Sequence, residues 1–209
     1  MDAIEKPAAV TKRQERGAAR EKAIVSAAAE LITERGLANI RVTDVAQRAG
    51  MSTGHVTYYF RSKTVLLMRA IQQSEDAFID EVEAKVHKIR DPWKRLTKFI
   101  ELSASNGTHD PGWVLWFEVW ANAALDPEVA TLHEELDARS CGILAEVIRY
   151  GCERGAFASE DPELTATLLS ASIDGLSIQL TLGAANLTGK KVVQLCLETA
   201  RALLAPADQ

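Results

Sequence analysis

Apolar side chains recur along this chain at the three- and four-residue intervals of helices, and the alternation expected of strands is missing. Between Ala18 and Arg35, the residues Ile24, Ala27, Ala28, Leu31 and Ile32 predict one buried stripe, with Gly36 as the stop and Leu37 and Ile40 plugging the bundle from the loop. Val42, Val45, Ala46 and Ala49 share the face of a second, short helix, which Gly50 closes because glycine tolerates a left-handed backbone. Ser52 suits the N-cap of a third helix, Thr53 to about Tyr59, with Val56 and Phe60 turned inward. After Ser62, a long helix runs from Lys63 to about Lys88, with Val65, Leu66, Leu67 and Ile71, then Phe78, Ile79, Val82 and Val86, as its inner stripe. Asp-Pro pairs at 91–92, 110–111, 126–127 and 161–162 then predict four helix starts. Aspartate accepts from free amides there, and proline lacks only an amide that has no partner at that position. Glycines 107, 155 and 183 mark ends, and Thr188 opens a last helix to about Leu204, with Val192, Val193, Leu195, Cys196 and Leu203 buried. The expected fold is all-α, with about nine helices: three in an N-terminal head and six in a C-terminal body.

The second and third helices, hinged at Gly50, have the form of a helix-turn-helix. The outer side of the third carries Thr53, Gly54, His55, Thr57 and Tyr58, and no acid occurs from Ser52 to Phe60. Hydroxyls, an imidazole and an aromatic ring without carboxylates suit contacts to phosphates and base edges in a major groove. The plain alternative is a small helical pair with a polar, solvated face.

From Val45 to Lys63 the chain also resembles the tetracycline-repressor (TetR) family of bacterial transcription regulators. Val45-Ala46, Ala49-Gly50-Met51-Ser52, Gly54, Val56, Tyr59-Phe60 and Lys63 stand in register with that family's pattern. The pattern's first threonine is replaced by Arg41, with Thr43 two residues on. The resemblance implies DNA binding through Arg41, Thr43, Ser52, Thr53, Gly54, His55, Thr57, Tyr58 and Lys63.

Charge sharpens the picture. The 209 residues carry a net charge of -5, yet residues 1–63 hold 11 Lys/Arg against 7 Asp/Glu and residues 64–209 hold 13 against 22. A basic head on an acidic body fits a polyanion contact at one end. The expected division is a basic arm over 1–17, carrying Lys12, Arg13 and Arg16, a DNA-binding domain over 18–63 and an effector and dimerisation domain over 64–209. No apolar run is long enough to span a bilayer and no secretory signal opens the chain, so a cytoplasmic protein is expected. Cys141, Cys152 and Cys196 read as small hydrophobes; the first two, eleven residues apart on one helix, are about 16 Å apart along it, too far for a disulfide.

In the body, Trp113, Trp116, Phe117 and Trp120 follow helical spacing and form a single aromatic stripe, either core or the wall of a ligand pocket, with Glu118 nearby but off the stripe. Trp116, Trp120, Ala123, Pro127 and Ile173-Asp174-Gly175-Leu176 give a second resemblance, to the C-terminal domain of BetI-type regulators within the same family. BetI responds to choline, so the resemblance implies a cationic or aromatic small-molecule effector. The last two helices resemble the pair that dimerises in this family, and the pattern agrees. Leu164, Leu168, Leu169, Ile173, Leu176, Ile178 and Leu180 nearly encircle the first of them, while Ser172 and Gly175 allow close approach. Leu168, Ser172, Gly175, Leu176, Gln179, Val193 and Leu197 are the candidate interface.

These readings converge on a homodimeric regulator, a repressor of a palindromic operator on double-stranded DNA that a small molecule releases. A constitutive DNA-binding protein without effector is the alternative. A helical metal-dependent enzyme has weaker support: His133 and Asp137, one turn apart with Glu134 beside them, could seed a metal site, but no second cluster completes it. No cofactor, metal or catalytic residue is expected.

Overall fold

A computed structural model describes residues 12–204, except for the side chains of Lys12, Arg13, Thr33 and Ala38. Among the described residues there are nine α-helices, one 3-10 turn and no strand. The helices are α1 (Lys12–Arg35), α2 (Val42–Arg48), α3 (Thr53–Tyr59), α4 (Lys63–His87), α5 (Pro92–Ser103), α6 (Pro111–Ala123), α7 (Pro127–Glu153), α8 (Pro162–Thr181) and α9 (Gly189–Leu204); the turn, Leu37–Asn39, follows α1. Two compact units divide between Gln73 and Ser74, inside α4 and beyond the Lys63 boundary that the sequence suggests.

The first unit forms around the predicted stripe of α1. Ile24, Ala27, Ala28, Leu31 and Ile32 are buried, with Leu37, Ile40, Val45, Ala46, Val56 and Phe60. Val42 and Ala49, expected on the buried face of α2, are only half-buried. Gly36 and Gly50 take positive φ, 73° and 65°, where a side chain would be strained. Arg48 of α2 pins that helix to α1, donating to Glu30 at 3.0 Å and to both oxygens of Glu34 at 2.9 and 2.7 Å. Its hydrogen bonds hold the Glu34 carboxyl below the usual carboxylate range. One expectation fails here: α1 begins at Lys12 rather than Ala18, so residues 12–17 of the expected arm are helical and residues 1–11 lie outside the described residues. The lysine, arginine, glutamine and glutamate of that stretch are good helix formers, and a single interior Gly17 does not stop them.

The second unit is organised around α7, which packs on α5, α6 and α8, while α9 packs on α8 and α5. All four Asp-Pro starts form as expected. Asp91 accepts from the Lys94 amide at 2.8 Å, Asp110 from Gly112 at 3.0 Å, Asp126 from Glu128 at 2.9 Å and Asp161 from Leu164 at 2.9 Å. Gly155 and Gly183 take positive φ after α7 and α8. Gly107 does not; in that loop His109 is the left-handed residue, with φ 58°. A buried polar knot holds it there: Ser105 Oγ meets Thr181 Oγ1 at 2.9 Å, the Ser105 amide donates to Ser177 Oγ at 3.0 Å, and the His109 amide donates to the Thr181 carbonyl at 3.0 Å. This knot fixes the start of α6 against α8.

Other departures are side-chain matters. Phe78, expected on the inner stripe of α4, is 42% exposed, while Ile79, Val82 and Val86 are buried as expected. Phenylalanine there sits one position off the 79–82–86 face, and a helix turns about 100° per residue. Val193, Leu195 and Leu203 are half-buried on α9, and Leu204 takes the buried place at its end. Cys196 is buried, and burial pushes its thiol up to about 11; Cys141 and Cys152 are only half-buried, and all three are free. No helix among the described residues is long and apolar enough to cross a membrane.

Candidate DNA interface and effector cluster

The turn between α2 and α3 is built by two residues. Gly50 lets the chain reverse, and Ser52 Oγ accepts from the His55 amide at 3.2 Å to start α3. The same Oγ lies 3.0 Å from His55 Nδ1. That contact engages Nδ1 and leaves Nε2 as the ring nitrogen without an intramolecular partner among the described residues. Thr53, Gly54, His55, Thr57 and Tyr58 all lie exposed, Tyr58 most of all at 82%, its ring edge-on to Tyr59 at 5.2 Å. Thr57 is partly spent: its hydroxyl donates back to the Thr53 and Gly54 carbonyls, each at 3.2 Å. It therefore offers a lone pair and a methyl rather than a hydrogen.

The flanking candidates stand on the same unit. Arg41 is the exposed N-cap of α2, its amide donating to Asp44 at 2.8 Å, and Thr43 is exposed within the first turn. Lys63 is exposed in the first turn of α4, where Ser62 Oγ accepts from the Val65 amide at 3.1 Å. Arg20 is a cation that the sequence reading passed over. It lines a hollow with Gly50, Met51, Ser52 and His55, where α1 passes the turn. Its place on α1, more than thirty residues upstream of Ser52, left no local signal.

The aromatic stripe of the body is neither deep core nor freely exposed. Trp113, Trp116, Phe117 and Trp120 are all half-buried, and Val119 is the residue of α6 that α7 and its neighbours enclose. Trp120 is the hub, its ring centroid 6.2 Å from Trp113, 6.1 Å from Trp116 and 5.9 Å from Phe117. His133 on α7 completes the cluster: Trp120 Nε1 donates to His133 Nε2 at 2.9 Å, and the Trp116 ring meets the imidazole edge-on at 5.8 Å. An indole N–H only donates, so Nε2 accepts and the hydrogen of the neutral ring sits on Nδ1. His133 Nε2 is thus held by the indole of Trp120. Glu118 is half-buried, off the ring cluster as expected. One and two turns along α7 from His133 lie Asp137 and Cys141, on the same face. Across from them on α8, burial first and Asp137 second push the Asp174 carboxyl up to about 6. Burial likewise raises the Cys141 thiol, whose Sγ lies 3.9 Å from Thr167 Oγ1.

On α8 and α9 the candidate partner surface is present in a single chain as an uncovered strip. Leu168 and Gln179 are exposed, and Ser172, Gly175, Leu176, Val193 and Leu197 are half-buried. A Cβ built on Gly175 meets nothing within 4 Å. Leu164 and Leu182 extend the exposed apolar surface at either end of α8, at 56% and 70%.

An acid-free recognition helix on a short helical head, joined to an all-helical body, defines a helix-turn-helix transcription regulator. Comparison with known proteins gives the family. Residues 24–70 match the family model for bacterial regulatory proteins of the tetR family, and residues 92–205 match that of the BetI-type transcriptional repressor C-terminal domain. The chain belongs to the TetR family, with a BetI-type C-terminal domain. It is similar to the HTH-type transcriptional regulator BetI of Cronobacter sakazakii, 26% identical over 187 residues that cover 88% of this chain and 86% of the relative. Among solved structures it is similar to a transcriptional regulator from Saccharomonospora viridis in complex with choline: TM-score 0.74, 29% identity, 91% of this chain and 100% of that one. A TetR regulator from Haloarcula marismortui shares the fold with TM-score 0.73 at 23% identity, covering 90% and 99%. These are DNA-binding regulators and not enzymes.

Proposed function

We propose that the protein is a homodimeric repressor that reads a palindromic operator through α3 and releases it when a small cationic effector binds beside α6 and α7. The reading rests above all on the acid-free outer face of α3, where the His55 imidazole and the Tyr58 ring lie exposed at the surface. His55 and Thr53 contact base edges, and Arg41, Thr43, Tyr58 and Lys63 contact phosphates. The uncovered strip on α8 and α9 supports a twofold partner, which an operator of two half-sites requires.

For the effector, half-buried tryptophan rings attract a cation at about 0.5–2 kcal/mol per ring, and Asp137, one turn along α7 from His133, with Asp174 on α8, adds negative charge to the same unit. The regulator from Saccharomonospora viridis was solved with choline, which favours a quaternary amine here. α4 belongs to both compact units, so an effector that favours one placement of α4 over another shifts DNA affinity. The test is a titration of choline into the protein bound to a labelled operator, with tryptophan fluorescence followed in parallel. Quenching together with release supports the reading. Choline that changes neither signal, at concentrations far above physiological, leaves a constitutive DNA-binding protein as the better account.

A further inference from the structure

Away from both surfaces, the last turns of α4 and the middle of α7 bring together a mixed nitrogen and oxygen donor set. Glu83 and His87, one turn apart on α4, face Glu146 of α7, and one donor atom from each lies within 4.8 Å of the others. The geometry points to a divalent transition-metal site of the zinc type, formed by one imidazole nitrogen and one oxygen from each carboxylate, with water completing the shell.

The two carboxylates stand within ion-pair reach of the imidazole, one at each ring nitrogen. His87 Nε2 lies 3.6 Å from Glu146 Oε2, and His87 Nδ1 lies 4.0 Å from Glu83 Oε1. A direct hydrogen bond closes to about 2.7–3.2 Å. Two donors on one tetrahedral ion, each bonded at about 2.1 Å, stand about 3.4 Å apart. A single ion takes one imidazole nitrogen: the Nε2–Glu146 spacing is close to the donor–donor value, and the Glu83 carboxylate joins from within the 4.8 Å set by side-chain rotation rather than through Nδ1. The three side chains reach the surface, so small rotations of the glutamates close the remaining gap and water has access. Imidazole with carboxylate oxygens suits zinc and its first-row neighbours better than calcium or magnesium.

The backbones that carry these donors are held in place independently of any ion. Arg95 of α5, 7% exposed, donates from Nη2 to the carbonyl of His87 itself at 3.1 Å and from Nε to that of Ile89 at 2.8 Å. Its guanidinium lies 3.4 Å over the ring of Tyr150, which is one turn past Glu146 on α7, and the Tyr150 hydroxyl donates to the Arg90 carbonyl at 2.9 Å. Arg154 covers the other approach to that ring at 3.6 Å. Nearer the start of this stretch, Arg139 of α7 binds Asp76 at 2.7 Å and also Asp80. Both helices are therefore fixed above and below the donor set, the kind of preorganisation a metal site needs. A bound ion adds a further tie between α4 and α7. The site is separate from the aromatic cluster and does not depend on the effector reading.

The experiment is calorimetric titration of ZnCl2 into the full chain in chelator-free buffer, beside the variants His87→Gln, Glu146→Gln and Glu83→Gln. Cobalt(II) absorption serves as a second readout. The expected result is one zinc per chain, affinity reduced at least tenfold in His87→Gln and Glu146→Gln, and a cobalt spectrum without thiolate charge transfer. His133→Gln should bind zinc as the wild type does. Absence of stoichiometric uptake would overturn the assignment, and so would uptake equal in wild type and both main variants, or a thiolate band that places the ion on cysteine. Should one variant fail to fold, Glu83→Gln and the cobalt spectrum decide.

Discussion

Two helices leave large side chains in the open, and they do so in opposite chemical registers. α3 exposes Tyr58 at 82% amid hydroxyls and an imidazole, with no carboxylate on its seven residues. α8 exposes Leu164 and Leu168 at 56% and 48%, and its exposed strip continues through Gln179. A surface helix with no function to serve usually carries glutamate and lysine on its outer face, and neither of these does so there. The first face is shaped for a ligand that brings its own negative charge. The second is shaped for a surface as apolar as itself, and an uncovered apolar strip on a regulator is most economically buried by a second copy. On the proposed reading, one chain carries one half of two different contacts, and operator binding depends on both halves being doubled.

The largest effect is expected where the second face is broken. Leu168→Glu places a charge in the proposed partner strip and should leave monomers by light scattering, with operator affinity down by at least about 100-fold, since each half-site must then bind alone. Monomers that still bind like wild type would separate the two faces and sink the comparison. On α3, His55→Ala should cost about 1–3 kcal/mol at one base position while sparing binding to unrelated duplexes, measured by anisotropy on single-base operator variants. Tyr58→Ala or Lys63→Ala should instead weaken all sequences by about tenfold and reduce the slope of log affinity against log salt by about 0.9 per lost phosphate contact. An unchanged slope in both would show that these side chains touch no phosphate.

A smaller effect probes why α8 keeps an acid at all. The Asp174 carboxyl is raised from 3.8 to about 6, by burial and then by Asp137. The folded chain therefore takes up this proton at higher pH than the unfolded chain. The cost of holding the charge is present in full above pH 6, shrinks as pH falls through the window from 6 to 3.8, and is gone below it. Asp174→Asn should raise the melting temperature at pH 8 by about 2–4 °C, with the gain vanishing near pH 4. A gain that is the same at both pH values would contradict the shift. If the acid helps to hold a cationic effector, the same variant should also lose choline response while gaining stability.

Much of this was readable in the sequence because its signals are local. Each Asp-Pro pair names its own helix start within four residues, and Gly50 with Ser52 writes the turn between α2 and α3 in three. What was missed depends on register between distant segments. Arg20 meets the recognition turn only through the packing of α1 against it, about thirty residues away in the chain. His133 joins the tryptophans through a bond to Trp120 across a helix hairpin, whereas its sequence neighbours Glu134 and Asp137 suggest a different chemistry. Glu83 and His87 lie about sixty residues before Glu146 in chain order and meet it only once α4 and α7 are held by Arg95 and Tyr150. Phe78 departs for a different reason: it stands one position off the face that packing gives to Ile79, Val82 and Val86.

The most direct test of a doubled reading head is to select bound duplexes from a random pool and to determine the mass of the protein on the enriched sequence. The account predicts an inverted repeat, its half-site centres about 10 base pairs or a small multiple apart, carrying an even number of 22.8 kDa chains. A single chain on an asymmetric site, or a pool with no enriched sequence, would contradict it.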